Sequence, residues 1–281
     1  MYREIMVPLD GSERAEQALP CAVQLAKAMA ATLHLVRVDD FIVSLTSTFA
    51  APYIPEGVYE AEVGEVTSYL TAVQQRLAGK GLQIRTELLT GAAALSLLAY
   101  EQAEHIDLLV MCSHGRSGIA RFALGSVADR LLRHGGAPVL LVRAFSAPPD
   151  LTRVVVPLDG SVLAEAALQT VSALAPSVIR EVTLLRVIGD RAEESEALAY
   201  LTAAALGLQH EHVTCRTRVV RGEPAQTIID VAGKDALVVM ATHGRSGLTR
   251  WALGSVADRV SRDGASGILL VRTVAPSPQP A

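Results

Sequence analysis

The sequence predicts an α/β fold in two tandem copies, each a doubly wound parallel sheet of five strands. The first observation is an internal repeat: residues 5–12 recur at 154–161, and 20 of the 30 positions in 114–143 are identical in 243–272. The second is that short apolar runs alternate with segments of helical periodicity, a pattern typical of right-handed β-α-β units. The third is length, because 281 residues accommodate two domains of about 140 residues each.

The elements of both copies are predicted in the same order. The first strand ends at Asp10 or Asp159, and a helix starts at Ser12 or Ser161. The second copy has a further helix at 192–206, whose counterpart in the first copy is delayed by an insertion of about 20 residues near 41–57, predicted to be a loop or lid. The remaining strands, first copy and then second, are predicted at 33–38 and 182–187, 84–89 and 213–220, 108–111 and 237–240, and 139–143 and 268–272.

The repeat also predicts the domain boundaries. The first domain spans 1–145, with its insertion at about 41–60, and the second spans 152–275. A short linker, 146–151, joins them, and the proline-rich tail 276–281 is predicted to be disordered.

Composition excludes several classes of function. The net charge of −4 and the aromatic content of 4% argue against a nucleic-acid partner. Apolar runs stay below the roughly 18 residues of a membrane span. The N-terminus runs directly into a strand, so no signal peptide is expected. Three widely spaced cysteines indicate reduced thiols in a cytoplasmic protein.

A glycine-punctuated loop follows the fourth strand of each copy and leads into a helix. The free backbone N–H groups at such a helix start, together with the helix dipole, favour an anion. Gly115 and Gly125 would let a phosphate approach the backbone, and Ser126 with Asp129 has the spacing of a capping box. Because ligands of such sheets bind outside the carboxyl ends of the strands, Asp10 and this loop are expected to line one crevice.

These residues resemble the universal stress protein family in its tandem form. The resemblance covers nearly the whole chain and is most specific in the Val-Pro-Leu-Asp-Gly-Ser opening and in the glycine followed after nine residues by Gly-Ser. It implies an adenine nucleotide alpha hydrolase-like, Rossmann-like fold with a pseudo-twofold between the copies. The two fifth strands would pair within one chain as an intramolecular pseudo-dimer, and homodimerisation is a further option.

The resemblance implies ATP or a related adenine nucleotide as ligand, with Mg²⁺ carried by its phosphates. The aspartates would contact the ribose or adenine edge, the valine of the second strand the adenine, and the loop residues the ribose and phosphates. The first site would comprise Pro8, Leu9, Asp10, Val38, Met111, Gly115, Gly125, Ser126 and Val127. The second would comprise Pro157, Leu158, Asp159, Val187, Met240, Gly244, Gly254, Ser255 and Val256.

One position departs from the family pattern in both copies. The first glycine of the nucleotide-binding motif is replaced by Cys112 and by Ala241. Both side chains are small, so weakened rather than abolished binding is expected. The second copy alone keeps the loop 222–225, Gly-Glu-Pro-Ala, which the family places near the ribose.

Alternative roles stay open for several residues. For Asp10 and Asp159 the ligand role is favoured over that of helix caps with the following serines. Arg116 and Arg245 would bind phosphate, remain solvated or bridge the two copies. His114 and His243, next to a hydroxyl residue, suggest nucleophilic catalysis, but neighbours in an extended segment point to opposite sides, so a positioning hydrogen bond is favoured. The segment 210–212, His-Glu-His, lacks a third metal ligand, and Cys112 is favoured as a packing residue over an oxidant sensor.

Three functions follow, in order of preference. The first is ATP binding coupled to a stress-response role, without catalysis. The second is a nucleotide-free interaction module. The third is slow ATP hydrolysis, although neither a Walker-type phosphate loop nor a dinucleotide fingerprint is present.

Overall fold

The computed structural model describes residues 2–40, 56–113, 125–144, 147–208, 212–243 and 253–272. The chain divides into two compact units, one reaching from Tyr2 to Ala137 and the other from Pro138 onward. Most of the predicted insertion and all of the predicted tail lie outside the described residues.

The first unit contains four parallel strands in the order β3-β2-β1-β4. Strand β4 is buried along its whole length, whereas β3 alternates between exposed and partly buried positions, as expected for an outer strand. The elements are β1 Glu4–Pro8, α1 Glu13–Glu16, α2 Leu19–Met29, β2 Thr32–Asp39, α3 Glu56–Leu77, β3 Gln83–Thr90, α4 Ala93–Ala103, β4 Leu108–Cys112 and α5 Ser126–His134.

The second unit repeats this arrangement and adds two strands, in the order β5-β10-β9-β6-β7-β8. Strand β9 is buried throughout, and β8 shows the same alternation as β3. The elements are β5 Val139–Val142, β6 Asp150–Pro157, α6 Val162–Leu174, β7 Glu181–Ile188, a 3-10 turn at Arg191–Glu193, α7 Glu194–Leu206, β8 Thr214–Arg221, α8 Pro224–Ala232, β9 Ala236–Ala241, α9 Ser255–Asp263 and β10 Ile268–Val271. The α/β class and the order of elements predicted from the sequence are confirmed.

The pairing of the two fifth strands is also as predicted. Strand β5 runs antiparallel to β10, with Leu140 opposite Leu269, and all eight residues of the two strands are buried. This antiparallel pair is an exception in an otherwise parallel arrangement. It removes the free edges that two apolar strands would otherwise expose. Strand β6 begins at Asp150, within the stretch predicted as a linker.

The first helix of the first copy is the main correction to the predicted elements. The sequence pattern predicts one helix from Ser12, but the structure has two, separated at Gln17 and Ala18. Pro20 occupies the first turn of the second helix. Proline has no N–H to donate to the carbonyl four residues earlier, so the helix ends and restarts. The second copy has Gln169 at the equivalent position, and α6 is continuous.

Within the described residues, every helix is too short or too polar to cross a membrane.

Candidate functional site

A cavity of about 300 Å³ lies at the carboxyl ends of β1, β2 and β4 in the first unit. The start of α5 closes one side, and Ala93 and Leu97 of α4 contribute apolar surface. Eight residues predicted from separate segments converge on this cavity: Pro8, Leu9, Asp10, Val38, Met111, Gly125, Ser126 and Val127. The prediction that Asp10 and the glycine loop line one crevice therefore holds for the described residues.

The second unit has an equivalent cavity of about 270 Å³. The described members of the predicted second site all line it: Pro157, Leu158, Asp159, Val187, Met240, Gly254, Ser255 and Val256. Leu185, Ile228 and Pro224 complete an apolar wall.

The remaining predicted loop residues are outside the described ranges. These are Gly115, Gly244, His114, Arg116 and Arg245, and their predicted roles stay predictions. Of the segment 210–212, only His212 is described, and it is exposed. Among the described residues, no three His, Cys, Asp or Glu side chains are grouped so that they could hold a metal ion.

The aspartate at the end of each first strand shapes a tight turn. Asp10 Oδ1 accepts hydrogen bonds from the backbone N–H of Ser12 at 2.9 Å and from its hydroxyl at 2.6 Å. Ser12 Oγ in turn accepts from the N–H of Ala15 at 3.2 Å, which caps the helix. Asp159 and Ser161 repeat this arrangement with the same distances. Capping and cavity lining are thus compatible roles, because one carboxylate oxygen serves the turn while the side chain borders the cavity.

The helix that starts at each glycine loop is not capped as predicted. Gly125 and Gly254 are the N-cap residues, and neither cap involves a side-chain hydrogen bond. The predicted capping box of Ser126 and Asp129 is therefore wrong: Ser126 is the first helical residue, and Asp129 accepts from Arg133 Nε at 2.8 Å. A glycine N-cap has no side-chain oxygen to engage the first N–H groups, so the cap residue leaves these donors at the cavity edge available to another acceptor.

Close backbone packing explains glycine at this cap. The N–H of Gly254 donates to the carbonyl of Thr242 at 2.8 Å, and a Cβ at Gly254 would lie 3.0 Å from that oxygen. The N–H of Gly125 donates to the Ser113 carbonyl at 3.1 Å. A side chain at Gly254 would therefore require the helix start or the strand end to shift by a few tenths of an ångström.

The residues that replace the first motif glycine face the cavities. Cys112 and Ala241 are both buried and line the first and second cavity, respectively. No disulfide joins the three cysteines. Cys21 is buried on α2, as its position on the apolar face predicts, and burial raises the pKa of its thiol to about 11.

The structure adds an arginine–tyrosine pair beside each cavity that sequence reasoning missed. The guanidinium of Arg37 lies 5.1 Å from the ring centre of Tyr69, and that of Arg186 lies 5.7 Å from the ring of Tyr200. Such contacts contribute about 0.5–2 kcal/mol. Arg186 also donates to the carbonyl of Leu158 at 3.3 Å, directly before the Asp159 turn. The sequence does carry a signal for these pairs, because both residues recur in both copies.

An equivalent carboxylate lies near the tyrosine of each pair. Tyr200 donates its hydroxyl to Glu165 Oε1 at 3.1 Å. Burial, with the Glu165 carboxylate adding to it, raises the pKa of Tyr200 to about 12. In the first unit the equivalent Glu16 forms an ion pair with Arg76, and burial, with Glu16 adding to it, raises the pKa of Tyr69.

His243 makes a contact that the extended-chain argument excludes. Its Nδ1 lies 3.1 Å from Oγ1 of the buried Thr242, so these neighbours do interact, and the role as a positioning hydrogen bond fits. The Nε2 atom of His243 is buried and has no hydrogen-bond partner in the part of the chain described. An orphaned buried polar atom costs about 1–3 kcal/mol, and His243 lines the second cavity.

The loop 222–225 makes hydrogen bonds and an ion pair at the start of α8, beside the second cavity. The Glu223 carboxylate caps α8 by accepting from the N–H groups of Ala225 and Gln226 at 3.2 and 2.9 Å. It also pairs with Arg259 of α9 at 3.0 Å. These backbone N–H bonds, the Gln226 bond foremost, lower the pKa of Glu223. The equivalent Ala92 in the first unit provides no side-chain cap.

Two α/β copies, each with a cavity at the carboxyl ends of its strands and beside a glycine-started helix, define a tandem protein of Rossmann-like type. A model of the universal stress protein family matches residues 1–143 and again residues 151–272. The chain belongs to the universal stress protein family.

Similar proteins cover one or both copies. A universal stress protein of Mycolicibacterium smegmatis is 27% identical over 288 residues, covering 95% of this chain and 96% of that protein. Universal stress protein YxiE of Bacillus subtilis is 31% identical over 148 residues, which span 100% of that protein and 51% of this chain. The crystal structure of a universal stress protein from Archaeoglobus fulgidus has a TM-score of 0.76 at 17% identity, covering 96% of this chain and 98% of that one. This last likeness concerns the fold.

Proposed function

We propose that this protein binds ATP or a related adenine nucleotide in at least one cavity and acts as a regulatory protein of the stress response. The observation that carries the proposal is the convergence of strand-end aspartate, apolar strand residues and glycine-started helix on one cavity in each unit. An apolar pocket with a few directed polar groups is the usual form of a small-molecule site.

The second cavity fits such a ligand at two points. Gly254 lets the start of α9 pack closely against the Thr242 carbonyl, and as N-cap it makes no side-chain hydrogen bond, so the first backbone N–H groups of α9 can bind an anion. His243 Nε2, which is buried and without a partner among described residues, supplies a polar atom that a ligand can satisfy.

Each group has a distinct task in this proposal. Leu185 and Val187 offer apolar surface to a base, and Asp159 accepts hydrogen bonds from ribose hydroxyls or the base edge. The N–H groups at the start of α9 and the helix dipole stabilise phosphate charge, by about 0.3–1 kcal/mol per charge at an exposed site. Mg²⁺ would accompany the phosphates, where most of its ligands are water and phosphate oxygens.

Gly254→Val and Gly125→Val test the proposal one cavity at a time. Purified, denatured protein is analysed by mass spectrometry for co-purifying nucleotide, and melting is followed with millimolar ATP, ADP or AMP. A ligand at a hundredfold excess over its dissociation constant stabilises the folded state by about 2.7 kcal/mol, a shift of several degrees. Each valine variant should lose the contribution of its own cavity.

Gly64→Ala is the matched control, because a Cβ at this helical position meets no atom within 4 Å. It should keep both the co-purifying nucleotide and the thermal shift. Wild-type protein that carries no nucleotide and shows no shift with any of the three ligands would contradict the proposal.

A nucleotide-free interaction module is the second candidate, and Cys112 and Ala241 favour it. Both add a Cβ to a cavity wall where nucleotide-binding members are expected to have glycine. Cys112→Gly and Ala241→Gly distinguish the two functions. Under the first proposal these variants bind ATP more tightly than wild type, whereas under the second wild type does not bind it at all.

We further propose binding without rapid turnover, in the cytoplasm. The absence of a disulfide among the cysteines accords with a reducing compartment. If the protein releases phosphate from ATP and the double variant Asp10→Ala, Asp159→Ala does not, the function would instead be slow ATP hydrolysis. Homodimer formation stays a prediction, which analytical ultracentrifugation would test.

A further inference from the structure

Two carboxylates at the first cavity have no counterpart at the second. Asp39 and Asp40 follow Val38 at the carboxyl end of β2, and both line the cavity. Asp39 is only 7% exposed, so its side chain is held in the cavity wall rather than in bulk water. The equivalent positions after Val187 are Ile188 and Gly189.

Two of the other charged groups at the first cavity recur in the second copy. Asp10 corresponds to Asp159 and Arg37 to Arg186, and both arginines pack on a tyrosine. Arg37 lines the first cavity, whereas neither Arg186 nor Glu223 lines the second. The first cavity wall therefore has two additional carboxylates and one additional guanidinium, a net difference of one negative charge.

The loops outside the described residues leave this difference unchanged. At the sequence level, 114–124 and 243–253 both contain one histidine and two arginines at the same spacing, and 41–55 contains no charged residue. Asp39 and Asp40 are thus the additional carboxylates of the first cavity wall.

We propose that Asp39 and Asp40 make the first cavity select adenine ligands of low charge, a nucleoside or monophosphate, while the second cavity accepts the triphosphate. This inference rests on the proposed nucleotide binding. A phosphate monoester carries about −1.5 to −2 at neutral pH, and a triphosphate carries about two charges more. Carboxylates repel that charge, but they accept hydrogen bonds from ribose hydroxyls and from an exocyclic amine, groups that a nucleoside retains.

Calorimetric titration of single-cavity variants measures the selection directly. Gly254→Val leaves the first cavity, Gly125→Val leaves the second, and each is titrated with adenosine, AMP and ATP in EDTA. One extra net charge about 10 Å from the phosphates corresponds to about a fourfold difference between the cavities in the ATP-to-AMP ratio of dissociation constants. That difference should shrink in high salt, because screening weakens it.

A reciprocal exchange at one pair of positions provides the matched test. Asp40→Asn in the first cavity should raise ATP affinity relative to AMP about fourfold and so bring the two cavities to similar ratios, and adding Asp39→Asn should raise it further. Gly189→Asp should lower ATP affinity relative to AMP about fourfold at the second cavity. A Cβ at Gly189 meets no atom within 4 Å, so the side chain fits. The Asn amide oxygen keeps an acceptor for ribose hydroxyls, so adenosine affinity should change less than ATP affinity in Asp40→Asn, and likewise in Gly189→Asp.

The outcomes separate the two proposals. Equal ATP-to-AMP ratios in both cavities, or substitutions that shift adenosine and ATP alike, overturn the selection by charge but keep nucleotide binding. No binding of any of the three ligands to either cavity overturns the proposed function, and this inference with it. Asp40 is exposed, so Asp40→Asn tests the electrostatic effect even if Asp39→Asn disturbs folding.

Discussion

The two cavities have the same aspartate turn and the same kind of helix start, but they differ in the residues at their outer edge, or rim. Both have an aspartate turn with the same hydrogen-bond distances and a helix started by glycine. The first rim has Asp39 and Asp40, whereas the second has Pro224 beside the paired Glu223. Groups that close a tight backbone turn tolerate little change, but a rim position accepts any side chain that fits. Duplication can therefore preserve the binding scaffold while altering what each copy prefers.

Glu101 gives the largest expected difference between the units. It is buried, and its Oε1 accepts from the N–H groups of Gly136 and Ala137 at 2.5 and 2.7 Å. The second unit has Ala232 at this position. Glu101→Ala should destabilise the first unit by about 3 kcal/mol, because two backbone donors lose a buried carboxylate acceptor. Hydrogen exchange resolved by unit measures this loss.

Glu101→Gln is the control for that experiment, since its amide oxygen keeps one acceptor, and its effect should be smaller. Equal loss of protection in both units after Glu101→Ala would contradict the assignment.

Gly160→Ala comes next and concerns the second aspartate turn. Gly160 has φ of +79°, and a Cβ there would lie 2.6 Å from Arg186 Nη1. The left-handed conformation alone costs about 1–2 kcal/mol for alanine. Displacing Arg186 from the Leu158 carbonyl should loosen the turn as well. Urea unfolding should show the loss, and Gly189→Ala should not. Unchanged stability in Gly160→Ala would exclude this role of the Arg186 contact.

Glu223→Gln should have the smallest effect and a characteristic pH dependence. Glu223 is exposed, so the capping and ion-pair bonds together contribute less than about 1 kcal/mol. Because its folded pKa lies below the ordinary value, this stabilisation is present at neutral pH and lost as pH falls through the folded pKa. Melting temperatures of wild type and Glu223→Gln should therefore differ at pH 7 and converge at acid pH. A constant difference across that range would argue against the carboxylate as the cause.

The first unit offers the reciprocal change. Ala92→Glu would place a carboxylate at the start of α4, where the N-cap has no side-chain hydrogen bond. A small gain at pH 7 is expected, with the same loss at low pH.

Local sequence patterns are sufficient to locate the strands and most of the site. The run at 108–111 is apolar because β4 is buried along its length. In the structure this strand ends one residue later than predicted, at Cys112. The repeat predicts which segments share a role, so Asp159 and Gly254 follow from Asp10 and Gly125. Pro20 is equally visible in the sequence, but its effect is missed because the apolar spacing continues across the break.

By itself, the sequence determined the α/β class, the duplication and the strand-end residues of both cavities, because periodicity and repeated segments are local properties of the chain. Only the tertiary structure decided that Arg37 packs on Tyr69, that Thr242 contacts His243, and that Asp39 and Asp40 border the first cavity. These contacts depend on where a side chain points at a strand end and on what a distant helix places opposite it. Neither is encoded in the spacing of residues along the chain.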